Sequence, residues 1–181
     1  MVSEHERVAR AANCLLPHVV DRLARERPNA RYGEWVMGSG VTIVTYAELA
    51  NVVNGLAWSL IDQLGGPGSS ETHPAVLTYV GPNDVRYSAM VFAAAKVGYV
   101  LFATSPRNST AAHRALFDRL QCQTLVTSDP VPPAASTILE AIKPPRHLKV
   151  PSIEELFEKR YPPYVLDKDF QHLRHKPFIV L

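Results

Sequence analysis

The chain has 181 residues, of which 46% are hydrophobic and 20% are charged, and its formal net charge is +2. This length and composition fit one globular domain with a single core. The small net charge argues against a nucleic-acid partner, because such proteins usually carry a basic face or stripe. Cys14 and Cys122, the only cysteines, predict two free buried thiols rather than one long-range disulfide, and without a CxxC pair they exclude a zinc site of that kind.

The start of the chain is polar and lacks the apolar region of a secretory signal, so we expect a cytoplasmic protein. The one segment that is apolar enough to be considered as a membrane span is 88–104. Lys96 and Gly98 interrupt it, and it divides into a helix and a strand. We therefore expect no contact with a membrane.

Residues 1–73 are predicted to form a lead-in of a helix, a hairpin and a second helix. An apolar stripe at helical spacing within 15–24 predicts the first helix and favours a core-packing face over a partner-binding one. The β-branched and aromatic runs 31–36 and 41–44 predict the two strands of the hairpin.

Thr45 and Glu48 form the pattern of a capping box, which starts the second helix. We assign both residues a structural role rather than a catalytic one. The glycine-rich run 65–70 follows that helix and precedes a strand, whereas a phosphate loop follows a strand and opens a helix. The run also lacks the GK[ST] ending, so we predict a flexible linker.

The segment 74–129 is predicted to be the core of the fold, in the order strand, helix, strand, helix, strand. Its strands are the apolar runs 75–80, 99–104 and 124–127. Strands that are apolar on both faces and alternate with helices imply an α/β fold. We therefore predict a Rossmann-like parallel sheet with helices on both faces.

Asp84 is predicted to cap the first core helix, and Gly98 to end it in the left-handed conformation. The turn 81–84 is better placed for an anion than the run 65–70, because it follows a strand, but the Asp84 carboxylate would repel a phosphate. Lys96 lies near the end of the helix, where its charge suits the helix dipole. We assign it a structural role rather than a role as a phosphate ligand.

The segment 130–177 contains nine of the fifteen prolines. Such a segment wraps or links more readily than it forms regular structure. We predict one helix within it, 153–160, which a capping box of Ser152 and Glu155 would start. We also expect this segment to be less stable than 74–129.

His172 and His175 are spaced i, i+3 and are predicted to be solvated rather than to bind a metal, because no further ligands lie nearby in the sequence. Residues 178–181 form an apolar strand within which the chain stops. We interpret this strand as truncated. A truncated strand leaves an open edge and an apolar surface, so we expect marginal stability and self-association of the chain.

Three stretches together resemble the adenylate-forming superfamily, which includes acyl-CoA synthetases, luciferases and nonribosomal peptide synthetase (NRPS) adenylation domains. Residues 44–49 (VTYAEL) are similar to the first core motif of that family, and residues 94–101 (AAKVGYVL) to the second. Residues 177–181 resemble the strand that leads into the third motif, a Ser/Thr/Gly-rich phosphate loop. The sequences of 79–84 and 104–109 are closest to fungal NRPS-like and carboxylate reductase enzymes.

The resemblance implies that residues 1–181 are a partial adenylation domain, the N-terminal part of the large lobe of an adenylate-forming enzyme. The complete ligase would use ATP and Mg²⁺ to activate a small carboxylic acid as an acyl-adenylate. It would then pass the acyl group to the phosphopantetheine thiol of a carrier domain. The rest of the adenylation domain and the carrier domain are the implied partners.

The phosphate loop would begin after Leu181, and the later motifs of the family are missing from this sequence. We therefore expect the chain alone to be inactive and to bind no cofactor. We assign it no catalytic, cofactor-binding or metal-ligating residue. The identity of the acid is not encoded here, because the family's pocket-lining segments lie further along.

Two other hypotheses remain open. The chain is a truncated, non-enzymatic binding or scaffold module of the same fold, or it is a small independent Rossmann-like nucleotide binder. The absence of a GxGxxG pattern after a strand argues against the nucleotide binder. The sequence beyond Leu181 distinguishes the enzyme fragment from the module, since a Gly/Ser/Thr-rich loop there favours the enzyme and a stop codon favours the module.

Overall fold

The structure, a computed structural model, describes residues 15–37, 40–66, 75–165 and 179–180. These residues form six helices and seven strands. The elements in chain order are α1 (Leu16–Glu26), β1 (Arg31–Met37), β2 (Gly40–Thr45), α2 (Tyr46–Leu64), β3 (Val76–Val80), α3 (Val85–Lys96), β4 (Val100–Phe102), α4 (Thr110–Leu120), β5 (Thr124–Ser128), α5 (Pro133–Ile142), β6 (Arg146–Val150), α6 (Ile153–Glu158) and β7 (Ile179–Val180).

Strands β3 to β7 form one parallel sheet in the order β6-β5-β3-β4-β7. The antiparallel hairpin of β1 and β2 is separate from it. Neighbouring residues of β3 face opposite sides of this sheet: Leu77 and Tyr79 pack with α2, α3 and α6, whereas Val76 and Val80 pack with α4 and α5. Because each face is covered by helices, the prediction of an α/β parallel sheet is confirmed.

Local side-chain caps explain where the two central helices begin. Thr45 Oγ1 accepts the Glu48 N–H at 3.3 Å, and the Thr45 N–H donates to Glu48 Oε2 at 2.8 Å, so the predicted capping box of α2 is present. Asp84 caps α3 by accepting the Arg86 N–H at 2.9 Å. Beyond the end of α3, Gly98 has a φ of 80°, the left-handed conformation predicted for it.

The prediction that 130–177 contains a single helix is wrong for its first part. That part forms α5 and β6, and β6 pairs in parallel with β5 along its whole length. The prolines lie at the boundaries of these elements and not inside them. Pro133 is the first residue of α5, where its missing N–H costs nothing, and Pro151 directly follows β6. Proline density therefore marks short connections here.

The later helix of this segment is shorter than predicted. Ser152 caps it by accepting the Glu155 N–H at 3.2 Å, and it ends at Glu158 rather than at residue 160. Cys122 is a buried free thiol, whereas Cys14 lies outside the described residues. Residues 38–39 of the predicted hairpin turn, residues 67–70 of the predicted linker, and residues 178 and 181 of the predicted last strand lie outside them too. No helix within the described ranges is both long and apolar enough to cross a bilayer.

Candidate functional site

The carboxyl edge of the parallel sheet holds the crevice where ligands bind in open α/β folds. The chain leaves β3 toward β4 on one side and leaves β5 toward β6 on the other, so the connections diverge between these two neighbouring strands. A cleft of about 400 Å³ lies at this point. It is lined by residues at or after the carboxyl ends of β3, β5 and β6, among them Pro82, Arg86, Ser128, Asp129, Ser152 and Glu154.

Arg86 is the buried cation of this cleft, and each nitrogen of its guanidinium group donates to a protein oxygen. The residue is only 4% exposed. Its Nη2 lies 2.7 Å from Asp84 Oδ2, its Nε lies 3.1 Å from both carboxylate oxygens, and its Nη1 donates to the Pro151 carbonyl at 3.3 Å. Burial alone would lower the pKa of Arg86, but the hydrogen bond and charge of Asp84 outweigh it and raise the pKa. The pair ties the start of α3 to the end of β6, and the Asp84 carboxylate offsets the charge of the guanidinium group.

The turn after β3 packs so tightly that position 81 requires glycine. A Cβ atom there would stand 2.0 Å from the Tyr79 hydroxyl oxygen. The Gly81 N–H donates to the Tyr87 hydroxyl at 3.3 Å, and the Tyr79 and Tyr87 ring centroids lie 5.0 Å apart. Burial raises the pKa of the Tyr79 phenol, whose hydroxyl has no hydrogen-bond partner within the described part of the chain. These contacts fix the turn that positions Asp84.

Lys96 is the second buried cation, and it lies among α1, α2 and α3. It is only 1% exposed. Its Nζ donates to Asp21 Oδ1 at 2.7 Å, to Asn54 Oδ1 at 2.9 Å and to the Tyr164 carbonyl at 3.3 Å. Burial lowers its pKa, and the hydrogen bond and charge of Asp21 oppose that shift. Lys96 is the last residue of α3, as predicted, and these buried contacts hold its ammonium group in place.

A second cleft, of about 530 Å³, lies beside this lysine. It is lined by α1, by α2 and by residues 160–165. Asn51 and Asn54 of α2 line it and are nearly buried within an otherwise apolar helix face. Sequence reasoning missed both asparagines and also Arg86. The available signal was a polar residue within the apolar stripe of a helix, because a polar group that is buried there requires hydrogen-bond partners.

The residues considered from the sequence do not assemble into one site. Thr45 and Glu48 bind each other at the start of α2, whereas Asp84 and Lys96 lie at opposite ends of α3. Across the described ranges, no group of three or more His, Cys, Asp or Glu residues could hold a metal ion. His172 and His175 lie outside those ranges. That the chain contains no catalytic residue stays a prediction.

No protein-family model matches the chain. It is 27% identical over 174 residues to an isocyanide synthase-NRPS hybrid from Aspergillus fumigatus, a match that covers 92% of this chain and 11% of that protein. It is 30% identical over 176 residues to a carboxylic acid reductase from Neurospora crassa, covering 92% of this chain and 16% of that protein. The chain thus spans less than a fifth of the length of either relative.

Among solved structures, the acetoacetyl-CoA synthetase from Streptomyces lividans shares the fold with a TM-score of 0.62 at 19% identity. That match covers 81% of this chain and 25% of the synthetase. Over most of its length the chain is therefore homologous to fungal NRPS-like and carboxylic acid reductase proteins, and it has the fold of the N-terminal domain of adenylate-forming enzymes.

Proposed function

We propose that this chain is the N-terminal part of an enzyme that activates a carboxylic acid with ATP and Mg²⁺. The product would be an acyl-adenylate, whose acyl group then passes to a carrier-bound thiol. The observation that carries the proposal is the 30% identity to a carboxylic acid reductase, which extends over 92% of the chain. The small fraction of that relative that the chain covers supports further domains, including the rest of the adenylation domain and a carrier domain.

The role we propose for this part of the enzyme is to provide its framework. In adenylation, a carboxylate oxygen attacks the α-phosphorus of ATP and pyrophosphate leaves, so cationic groups and Mg²⁺ must bear the phosphate charge. Arg86 and Lys96, the two buried cations described above, are occupied by Asp84 and Asp21. Neither of these two cations is therefore free to bear the phosphate charge, and we derive no catalytic step from them.

The proposal also includes a cytoplasmic location, because the donor ATP and the carrier thiol belong to that compartment. The thiol of Cys122 is buried, and burial raises its pKa to about 11, so it would not serve as the acyl acceptor. Transfer would instead use the phosphopantetheine thiol of the carrier domain.

The purified chain of 181 residues should show no acid-dependent ATP–pyrophosphate exchange. The physical reason is that Arg86 and Lys96, the buried cations of the described residues, are paired within the fold and are not free to bear the charge of the phosphates. The assay would use a panel of aromatic, keto and fatty acids, with a complete carboxylic acid reductase as the positive control. Exchange by the chain above background that depends on one of these acids would contradict the proposal.

A further inference from the structure

Residues 159–165, which we call the strap, follow α6 and lie along α2 without forming a helix or a strand. Asn51 of α2 holds the beginning of the strap through both the nitrogen and the oxygen of its side-chain amide. Its Nδ2 donates to the carbonyls of Leu156 and Lys159 at 2.8 Å each, and its Oδ1 accepts the Tyr161 N–H at 3.0 Å. Each of these bonds is made to the backbone.

The same face of α2 holds the rest of the strap. Asn54 lies one turn after Asn51, and its Oδ1 accepts the Tyr164 N–H at 3.1 Å. Trp58 lies one turn further along, and its Nε1 donates to the Pro162 carbonyl at 2.9 Å. These spacings place the three side chains on one face of the helix.

The strap is suited to recognition through its backbone. Pro162 and Pro163 have no N–H groups and fix φ near the extended value, so few polar backbone groups need a partner. The N–H groups of Tyr161 and Tyr164 flank these prolines, and the asparagines of α2 accept both. Helix α2 therefore holds the strap through its backbone, and the rings of Tyr161 and Tyr164 add packing against the core, with the Tyr164 ring centroid 5.0 Å from that of Trp58.

Lys96 connects this arrangement to α1. Asn54 Oδ1 accepts from both the Tyr164 N–H and Lys96 Nζ, and the same Nζ donates to the Tyr164 carbonyl. The remaining contact of Nζ is Asp21 of α1, whose side chain is 26% exposed whereas that of Lys96 is 1% exposed. One buried ammonium group thus joins α1, α2, α3 and the strap.

We propose that Asn51, Asn54, Trp58 and Lys96 form a clamp for the backbone of the strap, and that α1 closes this clamp through Asp21. Without the Asp21 carboxylate, Lys96 would be a buried cation with no counter-ion. It would then lose its proton or turn toward solvent, and either change weakens its bonds to Asn54 and to the strap.

A consequence is that α1 and the strap are coupled energetically through Lys96. The docking of α1 then determines how firmly the strap is held, although the strap begins at Lys159, 138 residues after Asp21. Coupling of this kind requires a direct measurement rather than an argument from proximity. The inference goes beyond the proposed activity and does not depend on it.

The test is amide hydrogen exchange on the full chain. The probe is the Tyr164 N–H, and amides of the central strand β5 report global unfolding. Asp21→Ala should raise Tyr164 exchange, relative to the β5 amides, by at least about threefold, as couplings within one hydrogen-bond network do. Asn54→Ala should raise Tyr164 exchange too. In Asn54→Asp, the Tyr164 amide should exchange nearly as slowly as in the unaltered chain, because the retained oxygen still accepts from Lys96 and Tyr164.

The double variant, Asp21→Ala with Asn54→Ala, should raise exchange by less than the product of the single effects, because Asp21 reaches the Tyr164 N–H through Lys96 and Asn54, and Asn54→Ala already removes that path. Asp129→Ala, which removes an exposed partner of Lys149, is the matched control and should leave Tyr164 exchange unchanged. The proposal is overturned if Asp21→Ala accelerates strap and β5 amides by the same factor, or if the single effects multiply. If Asp21→Ala does not fold, Asp21→Asn removes only the charge, and unchanged Tyr164 exchange in that variant would equally overturn it.

Discussion

Replacing Arg86 with methionine should lower the free energy of unfolding by about 3–5 kcal/mol, the range for removing one partner of a buried ion pair. The reason is that Asp84, which is 9% exposed, would lose the guanidinium group that now engages both of its oxygens. Urea unfolding followed by circular dichroism measures the change, provided that the denaturant dependence stays the same.

Two further variants separate the ion pair from a general effect of losing a cation. Lys149→Met removes a half-exposed partner of Asp129 and should cost about 0–1 kcal/mol. Adding Asp84→Asn to Arg86→Met should recover part of the loss, because the orphaned carboxylate is neutralised. Equal losses for Arg86→Met and Lys149→Met would contradict the assignment of a buried structural pair.

Replacing Lys96 with methionine should lower the free energy of unfolding by about 3 kcal/mol, the lower end of the range for a broken buried pair. The lower end applies because Asp21 is partly exposed, so water can solvate its orphaned carboxylate. Methionine retains most of the volume of the side chain, and the loss therefore reports the ammonium contacts rather than a cavity. Denaturant unfolding of the variant and the unaltered chain gives the difference.

Lys159→Met is the matched control, since the Lys159 side chain is 61% exposed and its ammonium group lies 4.0 Å from Glu155. It should change stability by less than about 1 kcal/mol. This comparison also distinguishes the two roles considered for Lys96. If Lys96 served to bind a phosphate, replacing it would cost little stability, because functional groups are commonly held at the expense of stability. A loss of stability for Lys96→Met as small as that for Lys159→Met would contradict the structural role.

The parts of the fold that local chemistry specifies could be predicted from the sequence. The unit from β3 to β4 was predictable because an apolar strand, a capping Asp84 and a left-handed Gly98 are each recognisable within a few residues. The capping box of Thr45 and Glu48 is equally local, since its two residues lie three apart. Alternation of apolar strands with helices then implied the parallel sheet.

Features that depend on contacts between distant segments could not be predicted in this way. The partners of Lys96 lie 75, 42 and 68 residues away along the chain, and no periodicity indicates them. Strand β6 was missed for a different reason. It is an edge strand whose residues, from Arg146 to Lys149, are mostly polar and exposed, so it lacks the apolar run that marks the inner strands.

The most direct test of the proposed function is a chimera of a complete relative. The aligned segment of the Neurospora crassa carboxylic acid reductase, 176 residues at 30% identity, would be replaced with this chain. ATP–pyrophosphate exchange would then be measured with an acid that the unaltered reductase activates, and the same reductase with the segment deleted is the negative control. We predict that the chimera retains acid-dependent exchange, because this chain supplies the framework and the remainder of the reductase supplies the catalytic groups. A soluble, cooperatively folded chimera that shows no exchange would contradict the proposed function.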